Sequence, residues 1–266
     1  MKYSFMSFSC PELTLGEMLA LAGRLGYDGI EPRLASGHKH GIETGIDTAR
    51  RRQIKSQVGG SGIALACLAT SCRFADPEIV HEMVEETLAC IDLAAAIGCS
   101  RLRVFGGSIP EGLARERAMD SVVNALGAVA DAAQERGVTI CLETHDDWTN
   151  PDHVAEVMRR VNRPSIAVNW DVMHPVRQSG FTMDQAFAAL RPWIRHVHFH
   201  DGVNSTDGLT LMPVGEGGFD HRRAVELLSA AGYEGYLSGE WIDWEPYEIH
   251  LPRELATMKG YERAAG

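Results

Sequence analysis

The stretch Val138-Thr139-Ile140-Cys141-Leu142-Glu143 and, after a helix-length interval, Ile166-Ala167-Val168-Asn169-Trp170-Asp171 decide how this chain is read. Side chains on a strand point alternately to opposite faces. Val138, Ile140, Leu142, Ile166, Val168 and Trp170 can therefore face covering helices. Thr139, Cys141, Glu143, Ala167, Asn169 and Asp171 then face the other way. Each segment ends on an acid, at the end where a parallel α/β fold collects its chemistry.

Outward from this unit the same pattern repeats. Tyr3–Phe8, Gly29–Arg33, Ile63–Ala69, Arg101–Phe105, Arg195–His200 and Tyr236–Trp241 complete eight predicted strands, with starts spaced by 26, 34, 38, 37, 28, 29 and 41 residues. Each gap accommodates a strand and a crossover helix. The helices carry explicit punctuation. Thr14-Leu15-Gly16-Glu17 has capping-box spacing, Asp76-Pro77 reads as an N-cap with proline at the first helical position, and glycine closes helices at Gly26, Gly98, Gly137 and Gly232. Met119, Val122, Val123, Leu126, Val129 and Ala133 recur at three- and four-residue steps, one buried stripe. No linker or low-complexity tract interrupts residues 1–266. The expectation is a single-domain (β/α)8 TIM barrel of the α/β class. A doubly wound open sheet is the runner-up, but no G-x-G-x-x-G follows the first strand.

Composition narrows the function. With 25 basic and 36 acidic side chains the formal net charge is −11. Nucleic acid is not expected as a partner, because phosphate contacts need clustered Lys and Arg. Arg50-Arg51-Arg52 with Lys55 reads as a solvated helix face. No apolar run approaches the ~18 residues of a membrane span, and the first residues do not resemble a signal peptide. The six cysteines lie mostly within apolar runs, as reduced, buried thiols do. A cytoplasmic protein without a membrane partner is expected. Homo-oligomerisation suits this architecture, although no surface identifies itself.

Alternation along the last four strands also puts His196, His198 and His200 inward from Arg195–His200, and Tyr236, Ser238 and Glu240 inward from Tyr236–Trp241. Glu143, Asp171, His198 and Glu240 then converge on one barrel mouth. Three carboxylates so placed repel one another unless a cation holds them ionised. Oxygen-rich donors with one imidazole suit one divalent ion, Mn2+ or Mg2+ first, with Co2+ or Zn2+ as alternatives. His196, lying deeper, reads as a satisfied interior histidine. Glu31 and Arg103 read as a buried pair bracing the barrel. Trp170 and Trp241 read as core. Trp148 and Trp244 are candidates to wall a pocket, and Gly215-Glu216-Gly217-Gly218 is a candidate closing loop or a plain connection.

Several segments together resemble a known family: Gly26-Tyr27-Asp28-Gly29-Ile30-Glu31, Arg103-Val104-Phe105-Gly106-Gly107, Glu143-Thr144-His145, Trp170-Asp171-Val172-Met173-His174-Pro175, His196-Val197-His198-Phe199-His200-Asp201 and Glu240. They are similar to the sugar phosphate isomerase/epimerase family of the xylose-isomerase-like barrel superfamily, over essentially the whole chain. The resemblance implies one divalent metal on Glu143, Asp171, His198 and Glu240. It also implies proton exchange between substrate and the two glutamates, and a hydrogen bond from His174 to a substrate oxygen. His145 and His200 are further candidate substrate contacts. Many relatives carry Lys at the position of His200, so substrate identity is not carried over.

The reaction expected is isomerisation or epimerisation of a ketose, keto-inositol or related polyol carbonyl. Glu143 and Glu240 act as the acid/base pair on a proton α to the carbonyl, and the metal stabilises the enediolate. A lyase of the same superfamily, dehydrating an inosose or a dehydroshikimate-like acid, is the alternative, since it begins with the same proton removal. An apurinic-endonuclease-like activity ranks lower, because Leu68-Ala69-Thr70 and Phe105-Gly106-Gly107 supply no histidine for further metals. A non-catalytic sugar-binding barrel ranks lower because all four ligand positions are filled. No phosphate-binding loop is evident, so an unphosphorylated substrate is preferred.

Overall fold

Parallel strands cannot be joined by tight turns, so successive barrel strands of this chain are connected through covering helices or long connections. The computed structural model describes residues 1–206 and 208–265. In chain order the strands are β1 (Lys2–Met6), β2 (Gly29–Glu31), β3 (Ala64–Leu65), β4 (Leu68–Arg73), β5 (Arg101–Phe105), β6 (Thr139–Glu143), β7 (Ile166–Asp171), β8 (Ile194–Phe199), β9 (Asp201–Ser205), β10 (Gly208–Met212) and β11 (Tyr236–Gly239). All but β9 and β10 form one parallel sheet in the order β3-β2-β1-β11-β8-β7-β6-β5-β4. β3 and β4 are successive pieces of one barrel strand, and a parallel bridge between Arg33 and Ala69 links the sheet's two ends. The result is a single-domain barrel with eight strand positions. No helix among the described residues is long and apolar enough to cross a membrane.

Alternation divides each strand as its sequence implies. Ile140, Leu142, Ile166, Val168, Trp170, Val197, Phe199 and Leu237 join the apolar core beneath the helices. Cys141 and Ala167 are equally buried but stand apart from that core, as side chains directed into the barrel do. The helices begin and end as punctuated. Thr14 and Glu17 form the reciprocal capping box of α1 (Leu15–Leu25), which Gly26 closes in the left-handed conformation at φ 83°. α2 (Thr48–Ser61) buries only Ile54, so its arginines form a solvated face. α4 (Arg115–Glu135) buries Met119, Val122, Leu126, Val129 and Ala133 along one stripe. All six cysteines are free and buried.

Several boundaries differ from expectation for local reasons. α3 (Val80–Ile97) starts a turn later than Asp76-Pro77 suggests. The Asp76 carboxylate instead accepts from the Glu78 N–H, capping a separate turn. β1 stops at Met6, where a short 3-10 turn over Ser7–Ser9 takes over. β2 stops before Pro32, which has no N–H to give a ladder. β9 and β10, an antiparallel hairpin between β8 and β11, had no expected counterpart. Trp148 is wholly buried rather than walling a pocket. Its Nε1 donates to the Gly107 carbonyl at 2.9 Å, and its ring covers Gly106, where a Cβ would collide with it. The Gly215–Gly218 connection is pinned, since the Asp201 carboxylate accepts from the Gly215 and Gly217 N–H groups.

The Gly106 contact gives a test of the packing. Gly106→Ala drives a methyl into a fixed indole, and overpacking of this kind costs about 1–3 kcal/mol. Urea unfolding should report a loss in that range, and an unchanged midpoint would contradict the packing described.

Candidate active site

Register places the polar strand ends. Asp171, the last residue of β7, lies opposite His198 of β8, and His198 lies opposite Ser238 of β11. Glu143 ends β6 opposite Asn169. Glu240 follows β11, yet its N–H still donates to the Phe199 carbonyl at 3.1 Å, so the ladder continues to position it. Ligand atoms of Glu143, Asp171, His198 and Glu240 all lie within 4.8 Å of one another. His198 Nδ1 is 2.7 Å from Glu143 Oε1 and 3.2 Å from Glu240 Oε2.

Three members of this group are held from behind. Asp171 Oδ1 accepts from the Met173 and His174 N–H groups at 2.9 and 3.0 Å, while its buried Oδ2 has no hydrogen-bond partner. Glu143 Oε2 pairs with Arg103 Nε at 3.2 Å. Arg103 in turn donates to the Thr70 carbonyl at 2.9 Å and lies over the Phe105 ring. The far nitrogen of His198, Nε2, contacts Glu31 Oε1 at 3.0 Å, and the second Glu31 oxygen contacts His196 Nε2 at 2.7 Å. The expected Glu31–Arg103 pair does not form. Glu31 serves the two histidines instead, and Arg103 serves Glu143, because β8 and β6 bring those partners closer. His196 is the interior histidine expected, bonded through Nε2 to Glu31 but only partly satisfied, since its buried Nδ1 has no partner.

The electrostatics follow from burial and partner. Burial alone would raise the Glu31 carboxyl, but the imidazoles of His198 and His196 hold it well below the usual range. Burial would lower His198, and Glu31 and Glu143 outweigh it, raising the ring well above its ordinary value. Asp171 and Glu240 are likewise held low against burial, Asp171 by His174 and His200 and Glu240 by His198 and Arg103. His145, bonded to Asp146, is pushed up to about 9 despite its burial.

Beside the four-residue group opens a cleft of about 250 Å3 lined by His145, His174, His200, Glu240, Leu209, Leu211 and Ile242. The three histidines singled out from the sequence therefore share one wall with Glu240. Leu209 and Leu211 come from the β9–β10 hairpin and, with Ile242, supply an apolar side that sequence reasoning missed. An available signal was Asp207-Gly208 between alternating apolar residues, the composition of a hairpin turn, although position 207 itself lies outside the described residues. Trp244 is absent from this cleft. It lines a separate one with Trp241, Phe8 and Tyr247.

A family model described as xylose isomerase-like TIM barrel matches residues 19–262. The chain belongs to that family. Its matches to curated relatives cover 57% and 74% of the relatives' own lengths in two cases. One of these, 3-dehydroshikimate dehydratase of Bacillus anthracis, is 22% identical over 214 residues, 79% of this chain and 74% of the relative. Among solved structures, D-allulose 3-epimerase from Methylomonas sp. in complex with D-allulose superposes with TM-score 0.79 at 20% identity, covering 98% of this chain and 97% of that one. A xylose isomerase-like TIM barrel protein from Mycobacterium smegmatis in complex with magnesium superposes with TM-score 0.76 at 14% identity, covering 100% and 98%. An epimerase and a dehydratase are thus among the proteins this chain resembles.

Glu31 provides a test of how the site is braced. Glu31→Ala strands two buried imidazoles, and removing one member of a buried charged set costs about 3–5 kcal/mol. Denaturant titration of the chelator-treated protein should show that loss, whereas a change below about 1 kcal/mol would mean Glu31 does not carry His198.

Proposed function

We propose that this chain is a divalent-metal-dependent isomerase or epimerase of an unphosphorylated ketose, keto-inositol or related polyol carbonyl, acting by transfer of the proton α to the carbonyl. The observation that carries this reading is the convergence of Glu143, Asp171, His198 and Glu240 beside a cleft that Glu240 lines. The donor set fits a divalent cation. Asp171 keeps one buried oxygen without a partner, and His198 turns Nδ1 toward two carboxylates while Glu31 holds Nε2. A carboxylate behind a ligating histidine fixes its ring orientation. Mn2+ and Mg2+ suit three carboxylates and one imidazole, with Co2+ or Zn2+ as alternatives, and a relative of the same fold is in complex with magnesium. When bound, such an ion polarises the carbonyl and offsets the negative charge that proton removal creates.

The chain's own groups perform the transfer. Glu143 and Glu240 flank the site from β6 and from the end of β11, with β7 and β8 between them. One carboxylate accepts the α-proton and the other returns it at a second position or on the other face. Arg103 holds Glu143 in place from behind. His145, His174 and His200 offer ring nitrogens to substrate oxygens along the cleft, and Leu209, Leu211 and Ile242 give it apolar surface. The Methylomonas relative of the same fold takes a ketose, which supports the substrate class.

Dehydration is the second reading, favoured by the likeness to 3-dehydroshikimate dehydratase and by a His145 ring that stays cationic beside the cleft and can protonate a departing hydroxyl. It shares the first step and differs in product mass by one water.

The test is incubation of metal-loaded protein with keto-sugars and keto-inositols in D2O, followed by NMR and mass spectrometry. Deuterium should enter beside the carbonyl with product mass otherwise conserved, and loss of water would select the dehydratase reading. Glu143→Gln and Glu240→Gln, at saturating metal, should each slow exchange by about 10²–10⁴-fold. Wild-type exchange in either variant would remove that residue from the acid/base pair.

A further inference from the structure

A second cleft opens where the chain leaves β1 and β11, apart from the one beside the four-residue group. Its volume is about 390 Å3, and Phe8, Trp241, Trp244, Tyr247 and His250 give it an aromatic lining. That size suits a small molecule. The two clefts share no lining residue, yet one short segment alternates between them. Glu240 and Ile242 line the first, Trp241 and Asp243 the second. The rings of the second form a box. Trp241 and Trp244 lie nearly parallel, their planes 20° apart and their centroids at 6.4 Å. The His250 ring stands against both, at 4.8 and 5.4 Å.

Charge of one sign surrounds the box. Glu12, Asp243, Glu245 and Glu248 belong to the lining, and no Lys or Arg does. Glu245 pairs with Arg253 at 2.7 Å. That guanidinium, itself outside the lining, lies over the Trp244 ring at 5.1 Å, so this indole already attracts one cation. The other three acids are exposed. They belong to no group of converging ligand atoms among the described residues, so a bare metal ion does not match them. Trp241 and His250 are each 1% exposed, yet Trp241 Nε1 and His250 Nδ1 have no hydrogen-bond partner. Burial, with Arg253 nearby, pushes the His250 ring down to about 4, so the ring is neutral at pH 7. Its Nδ1 then accepts a hydrogen bond when Nε2 carries the proton, whereas indole Nε1 only donates.

From this arrangement we infer that the second cleft binds a small amino alcohol, an alkylated ammonium ion carrying a hydroxyl group. The ammonium lies against Trp244, because aromatic faces attract cations, and the exposed acids add a negative field that draws it in. The hydroxyl accepts from Trp241 Nε1 and donates to His250 Nδ1, a single group that meets both needs. A neutral polyol would leave the acids unmatched, and a bare dication would leave the aromatic box unused. The site is independent of the proposed reaction, since none of its residues belongs to the first cleft or to the four-residue group.

Choline is the probe. Full-length protein is titrated with it by calorimetry and tryptophan fluorescence, with sodium chloride at matched ionic strength as the baseline. Its neutral carbon isostere, 3,3-dimethylbutan-1-ol, is run alongside. Saturable choline binding is expected, with the isostere about tenfold weaker for want of the cation–π contact. Trp244→Leu should weaken choline by about fivefold or more, and the double variant Glu12→Gln/Glu248→Gln by about threefold. Melting curves confirm that each variant folds. If Trp244→Leu does not, the double variant decides, since both of its side chains are exposed. No saturable binding beyond the salt baseline overturns the site. Equal affinity for the isostere overturns its cationic character. Choline affinity unchanged in the folded variants locates the binding elsewhere and overturns the site as well.

Discussion

Three carboxylates and an imidazole crowd one buried end of this barrel, and mutual repulsion among those acids is the constraint that the surrounding structure answers. Glu143, Asp171 and Glu240 cannot all stay ionised at such separations without positive charge nearby. The fold supplies part of it through Arg103, which pairs with Glu143, and through His198, whose ring is raised by its acidic neighbours. Backbone N–H groups of Met173 and His174 supply more to Asp171. The arrangement still leaves Asp171 Oδ2 without a partner, a vacancy in its hydrogen bonding that the proposed cation would fill.

The barrel makes this crowding achievable because strand geometry turns sequence position into spatial position. Period-two alternation sends Glu143, Asp171, His198 and Glu240 inward from four neighbouring strand positions, and parallel register brings their ends level. The opposite faces of the same strands carry Leu142, Trp170, Phe199 and Leu237 into the helix-covered core. One set of side chains therefore holds the other in place. Glu31 shows how far the support reaches: it comes from β2, across the barrel, and orients both His196 and His198.

Much of this could be read from residues alone, and the parts that could not share a physical origin. The eight strand positions and the inward acids are local, periodic signals. Gly26 and the Thr14–Glu17 box are equally local, so they too could be read directly. Partner choice inside the barrel is not local. Glu31 and Arg103 both point inward, but whether they meet each other or His198 and Glu143 depends on strand positions around a closed sheet, which periodicity does not encode. Trp148 lies in a loop by sequence, and only the absence of a side chain at Gly106 shows why it is swallowed. The β9–β10 hairpin has composition typical of a connection, so the apolar wall it gives the cleft, through Leu209 and Leu211, emerged only with the structure.

In the proposed function Glu143, Asp171, His198 and Glu240 together bind one divalent cation. The most direct measurement is an anomalous difference map from crystals equilibrated with Mn2+. A peak enclosed by those four side chains, about 2.0–2.3 Å from their oxygen and nitrogen atoms, is the result expected. A map with no peak there at saturating Mn2+, and the four side chains still paired as described, would contradict it.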